Sequence, residues 1–166
     1  AGTTSLAVTV NDITAPSAPT LTGNSSTNDN TPTWSGVAEA NATVTVFNAG
    51  VSLGQVVADG SGIYSFTPTV ALSDAIHSIT ATATDGSGNV SPASSTFTVL
   101  VDTVVPAVPS ISVVSPTSDS TPTFSGIAEA STTVTVYSDG ASLGQATADG
   151  DGNFAFPGPN NFPFAQ

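Results

Sequence analysis

The chain has 166 residues, of which 12 are acidic, one is histidine and none is lysine or arginine, so its formal net charge is −12 at neutral pH. Phosphate groups are bound through cationic side chains, so this composition excludes a nucleic-acid partner and disfavours binding to an anionic membrane surface. No stretch approaches about eighteen consecutive apolar residues, which predicts no insertion into a membrane. The absence of cysteine excludes disulfides and thiol chemistry.

Short runs of alternating apolar and polar residues follow one another along the chain and predict β-strands. Val44 and Val46 alternate with threonines, Tyr64 and Phe66 flank a serine, and Ile79 begins a run in which alanine and threonine alternate. β-Branched valine and threonine suit a pleated, half-buried surface, and no segment has the periodicity of a helix. Seven strands are predicted up to residue 101, at 18–23, 31–36, 42–47, 51–58, 62–67, 76–84 and 93–101.

The sequence then repeats itself at an interval of 90 residues, without insertions. The clearest copies are TPTWSGVAE at 31–39, which returns as TPTFSGIAE at 121–129, and SLGQ at 52–55, which returns at 142–145. This interval is too long for a solenoid repeat and matches a small independent domain. The predicted domains are a complete repeat at 12–101, an incomplete repeat at 102–166 and, at 1–11, the terminal strand of a preceding repeat.

Seven short strands in about 90 residues are typical of a two-sheet sandwich of immunoglobulin type. The predicted fold class is therefore all-β, with tandem immunoglobulin-like β-sandwiches. The first unit is expected to be complete. The second is expected to lack its last two strands, because the sequence departs from the repeat after Phe156. Trp34 lies on a predicted strand and is expected in the core.

Two interpretations of the open second unit remain. Either the chain is a segment cut from a longer tandem array, or another copy of the chain supplies a strand that completes the sandwich by strand addition. The segment SLAVTV at 5–10 has the alternation of a last strand and precedes a linker, so it is the candidate donor.

Each repeat is introduced by a linker that contains prolines. Asp12 stands four residues before Pro16, and Asp102 stands four residues before Pro106, with a second proline three positions later in both linkers. Proline fixes the backbone angle φ and removes a donor, so a Pro-x-x-Pro segment favours an extended, semi-rigid connector. An acidic residue thus leads into a stiff joint at each domain boundary.

Strand direction places several acidic residues at the end of the sandwich where the linker arrives, which we call the proximal pole. If successive strands run up and down, the turns after the strands at 31–36, 51–58 and 76–84 all lie at this pole. The residues expected there in the first repeat are Asp12, Glu39, Asp59, Asp85 and Asn89. The residues expected at the corresponding pole of the second repeat are Asp102, Glu129, Asp149 and Asp151.

These groups have no internal cation to balance them, and their chemistry suits calcium. Ca²⁺ binds about 6–8 oxygen atoms from carboxylates, carbonyls and water, whereas softer metals prefer histidine or cysteine. Without the ion, the carboxylates would repel one another across the joint. The sequence therefore predicts structural Ca²⁺ at the interdomain joints, where it would act as a rigidity switch.

The same acidic residues also have an explanation without metal. Asp59, Asp85 and Asp149 each precede a glycine, and Asp-Gly is a favourable turn dipeptide. Asp29 belongs to a turn at the opposite end of the sandwich, the distal pole, and is expected to be solvated. His77 is in phase with the buried side of its strand and is expected to pack or hydrogen-bond rather than to act as a base.

The ordered set of motifs resembles the bacterial immunoglobulin-like repeats of very large, secreted, biofilm-associated adhesins. The motifs are DxxxPxxP, TPTWSGxAE, TVTVF, LG, ADGxG and HSITATATDGxGN, and they cover residues 12–101 and continue to Phe156. The resemblance implies a cell-surface or matrix stalk that calcium stiffens at the domain junctions. Carried over by position, the ligand role falls on Asp12, Glu39 and Asp85 at the first joint and on Asp102 and Glu129 at the second.

Three functions follow as hypotheses. The leading one is a non-catalytic structural repeat of an extracellular bacterial adhesin, which forms a calcium-stiffened stalk for cell adhesion or biofilm matrix and has neighbouring repeats as partners. The first alternative is a fibre subunit assembled by strand exchange between copies. The second is a carbohydrate-binding module of a secreted protein. Such a module usually exposes aromatic side chains, whereas the alternation places Trp34, Tyr64 and Phe66 inside.

Overall fold

A computed structural model of the chain describes residues 12–112 and 121–159. The predicted donor strand at 5–10 and the tail at 160–166 lie outside the described residues. Within them the regular elements are all strands, so no helix of this part could cross a membrane. The strands are β1 (Ser26–Thr27), β2 (Trp34–Val37), β3 (Thr43–Asn48), β4 (Val51–Val57), β5 (Ile63–Phe66), β6 (Ala75–Thr84), β7 (Phe97–Val101), β8 (Ser110–Ser112), β9 (Thr123–Ile127), β10 (Thr133–Ser138), β11 (Ala141–Thr147) and β12 (Asn153–Pro157).

The chain divides into two compact units, Ala1–Val104 and Val105–Gln166. The first unit holds β1 to β7 and the second holds β8 to β12. The hairpin of β3 and β4 has the same register and the same bulge as that of β10 and β11. Strands β2 and β5 pair in the same register as β9 and β12. The 90-residue sequence repeat is therefore also a structural repeat.

The first unit is a sandwich of two sheets. Its larger sheet has the order β1-β7-β6-β3-β4, and its smaller sheet pairs β2 with β5. All of these pairings are antiparallel except that of β1 with β7, which is parallel. The bounds predicted for β3 to β6 differ from the observed ones by at most one residue at each end. The predicted all-β, immunoglobulin-like fold class is confirmed.

The alternation that predicts the strands also builds the core, because successive side chains of a strand point to opposite faces. Val44 and Val46 on β3 and Ile79 on β6 are fully buried. From the facing sheet, Trp34 stacks on Phe66 with ring centroids 6.5 Å apart. Full burial of such a side chain contributes roughly 1.5–3 kcal/mol. The prediction that Trp34 lies in the core is confirmed.

The first predicted strand, at 18–23, is not a continuous strand in the first unit. Thr20 and Thr22 donate backbone hydrogen bonds to β2, after which the chain crosses to the other sheet and continues as β1 beside β7. The crossing passes close to the core, since a Cβ atom on Gly23 would lie 2.7 Å from the ring of Trp34. Alternation alone does not reveal this change of sheet, because residues 22–26 are all exposed and carry no buried apolar position that would mark it.

The last predicted strand, at 93–101, begins only at Phe97. In the residues before β7, serine hydroxyls take the place of backbone carbonyls and accept hydrogen bonds from the N–H groups of β6. The Oγ of Ser94 accepts the N–H of Ala81 at 3.0 Å, and the Oγ of Ser91 accepts that of Ala83 at 2.9 Å. Both serines are buried, so these bonds satisfy backbone groups that would otherwise lack partners. A proline after Ser91 cannot donate to the sheet, which explains the interruption.

The second unit has the same two layers over a smaller core. Its described strands form the sheets β10-β11 and β12-β9-β8. Val134, Ala148 and Phe154 pack together, and Phe124 stacks on Phe156 with centroids 6.4 Å apart. Among the described residues β10 pairs only with β11, whereas its counterpart β3 lies between β4 and β6. The predicted incompleteness of this unit stays a prediction.

Candidate functional site

The sequence Asp-Gly-x-Gly forms the same closed turn at the proximal pole of both units. In the first unit, Oδ1 of Asp59 accepts hydrogen bonds from the backbone N–H groups of Ser61 at 2.8 Å and Ile63 at 2.9 Å. In the second, Oδ1 of Asp149 does the same with the residues two and four positions later, at 3.0 and 2.8 Å. One oxygen of each carboxylate therefore closes its own turn.

The second glycine of this motif is required by the backbone. Gly62, Gly88 and Gly152 have φ angles of +81°, +90° and +83°, in the left-handed region that disfavours side chains. A Cβ atom on Gly62 would also lie 2.4 Å from the carbonyl oxygen of Ala38. The motif is therefore explained by turn geometry before any ligand is considered.

Asp85 is bonded through both of its carboxylate oxygens. Its Oδ1 accepts the backbone N–H groups of Ser87 at 2.8 Å and Asn89 at 2.9 Å, and its Oδ2 accepts the Nδ2–H of Asn89 at 2.7 Å. Hydrogen bonds to the ionised form favour that form. The side-chain bond from Asn89, supported by the backbone bonds, therefore lowers the pKa of Asp85. The backbone bond from Asn153 lowers the pKa of Asp149 in the same way.

The linker of the first repeat is attached to the turn of Asp85 through Asn89. The Nδ2 of Asn89 donates to the backbone carbonyl of Asp12 at 3.0 Å as well as to Asp85. The carboxylate of Asp12 accepts the N–H of Thr14 at 2.9 Å, which forms an Asx turn at the start of the linker. The structure thus brings together three of the predicted ligand residues at the proximal pole, namely Asp12, Asp85 and Asn89.

Glu39 and Asp59 lie on two adjacent turns of the same unit. The backbone N–H of Asn41 donates to the carbonyl of Asp59 at 3.2 Å, and that of Ala42 donates to the carbonyl of Glu39 at 3.1 Å. The first bond joins the two turns through the backbone, the second closes the turn of Glu39, and the Glu39 side chain is exposed. Within residues 12–112, no hydrogen bond links either carboxylate to Asp12.

In the second unit, Glu129 and Asp149 occupy equivalent turns. The carbonyl of Glu129 accepts both the backbone N–H, at 3.2 Å, and the hydroxyl, at 2.6 Å, of Thr132. Asp102 belongs to the first unit, and its carboxylate accepts the N–H of Val104 at 3.1 Å. This is the Asx turn of Asp12 repeated 90 residues later. A meeting of Asp102 with Glu129 and Asp149 at one joint stays a prediction.

A residue outside the predicted set also contacts a linker. Asp74, in the loop before β6, accepts the backbone N–H of Thr103 at 3.0 Å and its hydroxyl at 2.9 Å through Oδ1. The Oδ2 of Asp74 lies 3.1 Å from the same hydroxyl. The loop before β6 and the end of β7 both lie at the distal pole, so strand direction could have identified Asp74. The predicted ligand set is confined to the proximal pole and therefore lacks Asp74.

The acidic residues do not form a ready-made metal cluster. Within residues 12–112 and 121–159, no group of three or more histidine, aspartate or glutamate side chains is placed to hold a metal ion. The chemistry of the closest predicted set nevertheless suits calcium. The carbonyl oxygen of Asp12 and the Oδ2 of Asp85 both lie within 3.0 Å of the Nδ2 of Asn89, and both are hard oxygen donors. Water or further oxygens would have to complete the roughly 6–8 that calcium takes.

His77 and the aromatic residues have structural surroundings. His77 is buried, with Nδ1 2.9 Å from the Nδ2 of Asn48 and Nε2 2.9 Å from the carbonyl oxygen of Ser73. These partners assign a neutral ring whose Nε2–H donates and whose Nδ1 accepts. The expectation that His77 hydrogen-bonds is confirmed. Trp34 and Tyr64 are buried, and burial raises the pKa of Tyr64 to about 12, so neither forms an exposed carbohydrate platform.

The sequence profile of a bacterial Ig-like domain family matches residues 3–103 of the chain. Because the match covers more than half of its residues, the chain belongs to the bacterial immunoglobulin-like domain family. The resemblance that the linker and strand motifs indicate is therefore confirmed.

The solved structures that are similar to the chain include the following two. One is described as "Crystal structure of tetra-tandem repeat in extending region of large adhesion protein"; it is 22% identical, with a TM-score of 0.44, and the match covers 89% of this chain and 42% of that one. The other is described as "Biofilm associated protein - BSP domain"; it is 23% identical, with a TM-score of 0.32, and the match covers 90% of this chain and 25% of that one. The chain thus spans less than half the length of either structure. No curated protein matches it.

Proposed function

We propose that this chain is a non-catalytic structural repeat of an extracellular bacterial adhesin, in which each unit serves as one link of a stalk. The observation that carries the proposal is the structural repetition of the two units. The same residues close the same turns in both, and the same Asx turn begins both linkers. A stalk needs this uniformity, because every link has the same mechanical task.

The residues that recur between the repeats are accounted for by backbone and core geometry. A Cβ atom on Gly36 or on Gly126 would lie 1.9 Å from the carbonyl oxygen of the adjacent segment. Gly54 and Gly144 have φ angles of +144° and +146° and lie against a phenylalanine ring. An enzyme would be expected to repeat reacting groups, whereas these positions maintain a shape. This pattern supports a spacer over a catalyst.

The extracellular location is part of the proposal and comes from the motif resemblance. A net charge of −12 without any cationic residue makes neighbouring copies repel one another, which suits an exposed stalk. Protease treatment of intact cells of the source bacterium would test this location. Cleavage of the chain on intact cells is expected, and full protection until the cells are lysed would contradict it.

The proposed calcium ion binds where the linker joins the proximal pole. In the first unit, Asp12, Asp85 and Asn89 would hold it, with Glu39 and Asp59 as further oxygen donors. Asp102, Glu129 and Asp149 would have the same function at the next joint. The ion supplies positive charge that these carboxylates otherwise lack. Extracellular modules bind calcium with dissociation constants of about 10⁻⁴–10⁻³ M, and a hundredfold excess over that constant adds about 2.7 kcal/mol to the stability of the folded state.

A calcium titration followed by NMR tests the site directly. About 10 mM Ca²⁺, roughly tenfold above the weaker limit, is expected to shift the amide signals of residues 12–14 and 85–89 and to raise the melting temperature. Asp12→Asn and Asp85→Asn should each weaken the response. Asp139→Asn is the matched control, because Asp139 is an exposed acidic residue of the turn between β10 and β11 and belongs to neither proposed site. Equal responses in all three variants would contradict the site.

Small-angle scattering tests the stiffening itself. Calcium is expected to narrow the distribution of shapes that the wild-type chain adopts, relative to a sample in chelator. Scattering curves that are the same in calcium and in chelator would contradict the calcium-dependent stiffening but not the spacer function.

A second candidate, a fibre subunit assembled by strand exchange, is favoured by the side of β10 that no strand of residues 121–159 covers. A cleft of about 180 Å³ runs along this strand, lined by Val134, Val136 and Phe154 among others. Tyr137 is 62% exposed there, whereas its counterpart Phe47 in the first unit is half-buried. An added strand would cover these groups. Light scattering should then show a mass that rises with concentration, and a strict monomer at high concentration would exclude this assembly.

A further inference from the structure

Two side-chain contacts attach the linkers to the first unit through protein groups. At the distal pole, Asp74 accepts the backbone N–H and the hydroxyl of Thr103 at 3.0 and 2.9 Å. Hydrogen bonds to an ionised carboxylate are about twice as strong as those between neutral groups. Both oxygens of the carboxylate lie within 3.1 Å of the hydroxyl. Together with the bond from the N–H, one side chain therefore holds both the main chain and the side chain of this linker residue.

At the proximal pole, Asn89 holds the preceding linker. Its amide donates to the carbonyl of Asp12 at 3.0 Å, and the same amide is fixed by the Oδ2 of Asp85 at 2.7 Å. Asp85 is in turn fixed by two backbone N–H groups of its own turn. The donor that reaches Asp12 is therefore already oriented.

The two contacts fall on neighbouring positions of the linker. Asp12 and Asp102 are equivalent, because they are 90 residues apart and their carboxylates form the same turn with Thr14 and Val104. Asn89 holds the aspartate at this position, and Asp74 holds the residue that follows it. In an array of such repeats, the unit after a linker thus holds its aspartate, and the unit before the linker holds the next residue.

We propose that each linker is clamped by both of its neighbouring repeats at two consecutive residues, through an Asn89-type amide and an Asp74-type carboxylate. The two backbone anchors, the carbonyl of the aspartate and the N–H of the residue that follows it, belong to the same peptide unit, and that unit is planar. Bending at this point requires one of the two contacts to break. This linker clamp limits motion at the joint without any ion, so it goes beyond the calcium-dependent stiffening proposed above and persists in chelator.

Backbone relaxation measured by ¹⁵N NMR, with chelator present throughout, tests each half of the clamp separately. In the wild-type chain, the order parameters of Thr103, Val104 and Thr14 are expected near the value of about 0.85 that is typical of a rigid backbone. Asp74→Ala should lower them at Thr103 and Val104 towards about 0.6 and leave Thr14 unchanged. Asn89→Ala should lower the value at Thr14 only.

The two variants therefore serve as controls for each other, and two further variants separate charge from hydrogen bonding. Asp74→Asn keeps an acceptor oxygen and is expected to retain most of the order at Thr103. Asp139→Asn removes one charge from an exposed turn of the second unit outside the predicted ligand sets and should leave both linkers unchanged. Hydrogen exchange of the Thr103 amide should accelerate roughly 3- to 10-fold in Asp74→Ala, as expected for one lost hydrogen bond.

Two results would overturn the linker clamp. One is wild-type order parameters at Thr103 that already lie below about 0.6 in chelator. The other is an Asp74→Ala variant whose Thr103 order and exchange rate equal those of the wild type. Because Asp74 is exposed, its replacement should leave the melting temperature of the first unit nearly unchanged, which excludes unfolding as the cause of a positive result.

Discussion

Substituting Gly23→Val is expected to destabilise the first unit, because the new side chain collides with Trp34. A Cβ atom at position 23 would lie 2.7 Å from Cδ1 of the indole and 3.5 Å from the carbonyl oxygen of Thr33. Trp34 is fully buried and stacked on Phe66, so its ring has little room to move. Overpacking of this kind costs about 1–3 kcal/mol.

At the equivalent positions, 90 residues later, the second repeat has a larger residue in place of the glycine and a smaller one in place of the tryptophan, namely valine at 113 and phenylalanine at 124. Trp34→Phe removes about 40 Å³ of side chain, which corresponds to a cavity cost of about 1 kcal/mol. It also removes an Nε1–H that has no hydrogen-bond partner among the described residues, which offsets part of that cost. In the double variant that combines Gly23→Val with Trp34→Phe, the valine fills the space that the indole leaves. We therefore expect the double variant to lose about 1 kcal/mol less than the sum of the single losses.

Native-state hydrogen exchange of the β6 amides, measured by NMR, reports the stability of the first unit in all four proteins. Fluorescence would not serve, because Trp34 is the only tryptophan. The matched control is Gly60→Val, at a glycine whose Cβ would meet nothing within 4 Å, and it should change stability by no more than about 0.5 kcal/mol. Losses that add within about 0.3 kcal/mol would refute the coupled packing of positions 23 and 34.

Three further predictions follow from single contacts. The lowered pKa values of Asp85 and Asp149 mean that these carboxyl groups bind protons less readily in the folded chain than in the unfolded chain. Their contribution to the stability of the fold is therefore fully present above the ordinary carboxyl pKa and is lost as the pH falls through the lower pKa values of the folded chain. The melting temperature should fall less steeply from pH 6 to pH 2 in Asp85→Ala than in the wild type, and equal slopes would contradict this. Gly36→Ala places a Cβ 1.9 Å from the carbonyl oxygen of Thr20 and should cost about 3 kcal/mol in urea unfolding, against little change for Gly60→Ala. Ser94→Ala leaves the buried N–H of Ala81 without its acceptor and should cost about 1–3 kcal/mol, and a neutral result would show that water replaces the hydroxyl.

The core and most strands of the first unit could be predicted because alternation determines which face is buried. Val44 and Val46, or Tyr64 and Phe66, can be buried together only on an extended strand. The change of sheet at Gly23 could not be predicted, because it depends on how closely the backbone passes Trp34 after the sandwich has formed. The replacement of a strand by the Ser91 and Ser94 hydroxyls likewise depends on tertiary contacts.

The candidate site was predictable to the extent that strand direction determines which turns share a pole. Strand direction places Asn89 and Asp85 beside Asp12, and the structure joins the three by hydrogen bonds. It could not reveal that Oδ1 of each turn aspartate is already bonded to backbone N–H groups, because that depends on the φ angles of the glycines. The same reasoning applied to the distal pole would have identified Asp74.

The parallel pairing of β1 with β7 has a mechanical consequence for a stalk under tension. When residues 12 and 102 are pulled apart, β1 must slide along β7 instead of peeling away, because the two strands run in the same direction. The N–H groups of Leu100 and Asp102 then lose their bonds to Ser25 and Thr27, at 2.9 and 3.0 Å, at the same moment. Single-molecule pulling should therefore show a lower rupture force for Thr27→Pro, which removes a backbone N–H that faces β7, than for the wild type, and equal forces would place the resistance elsewhere. The shortest strand of the sandwich is thus the one that bears the shear.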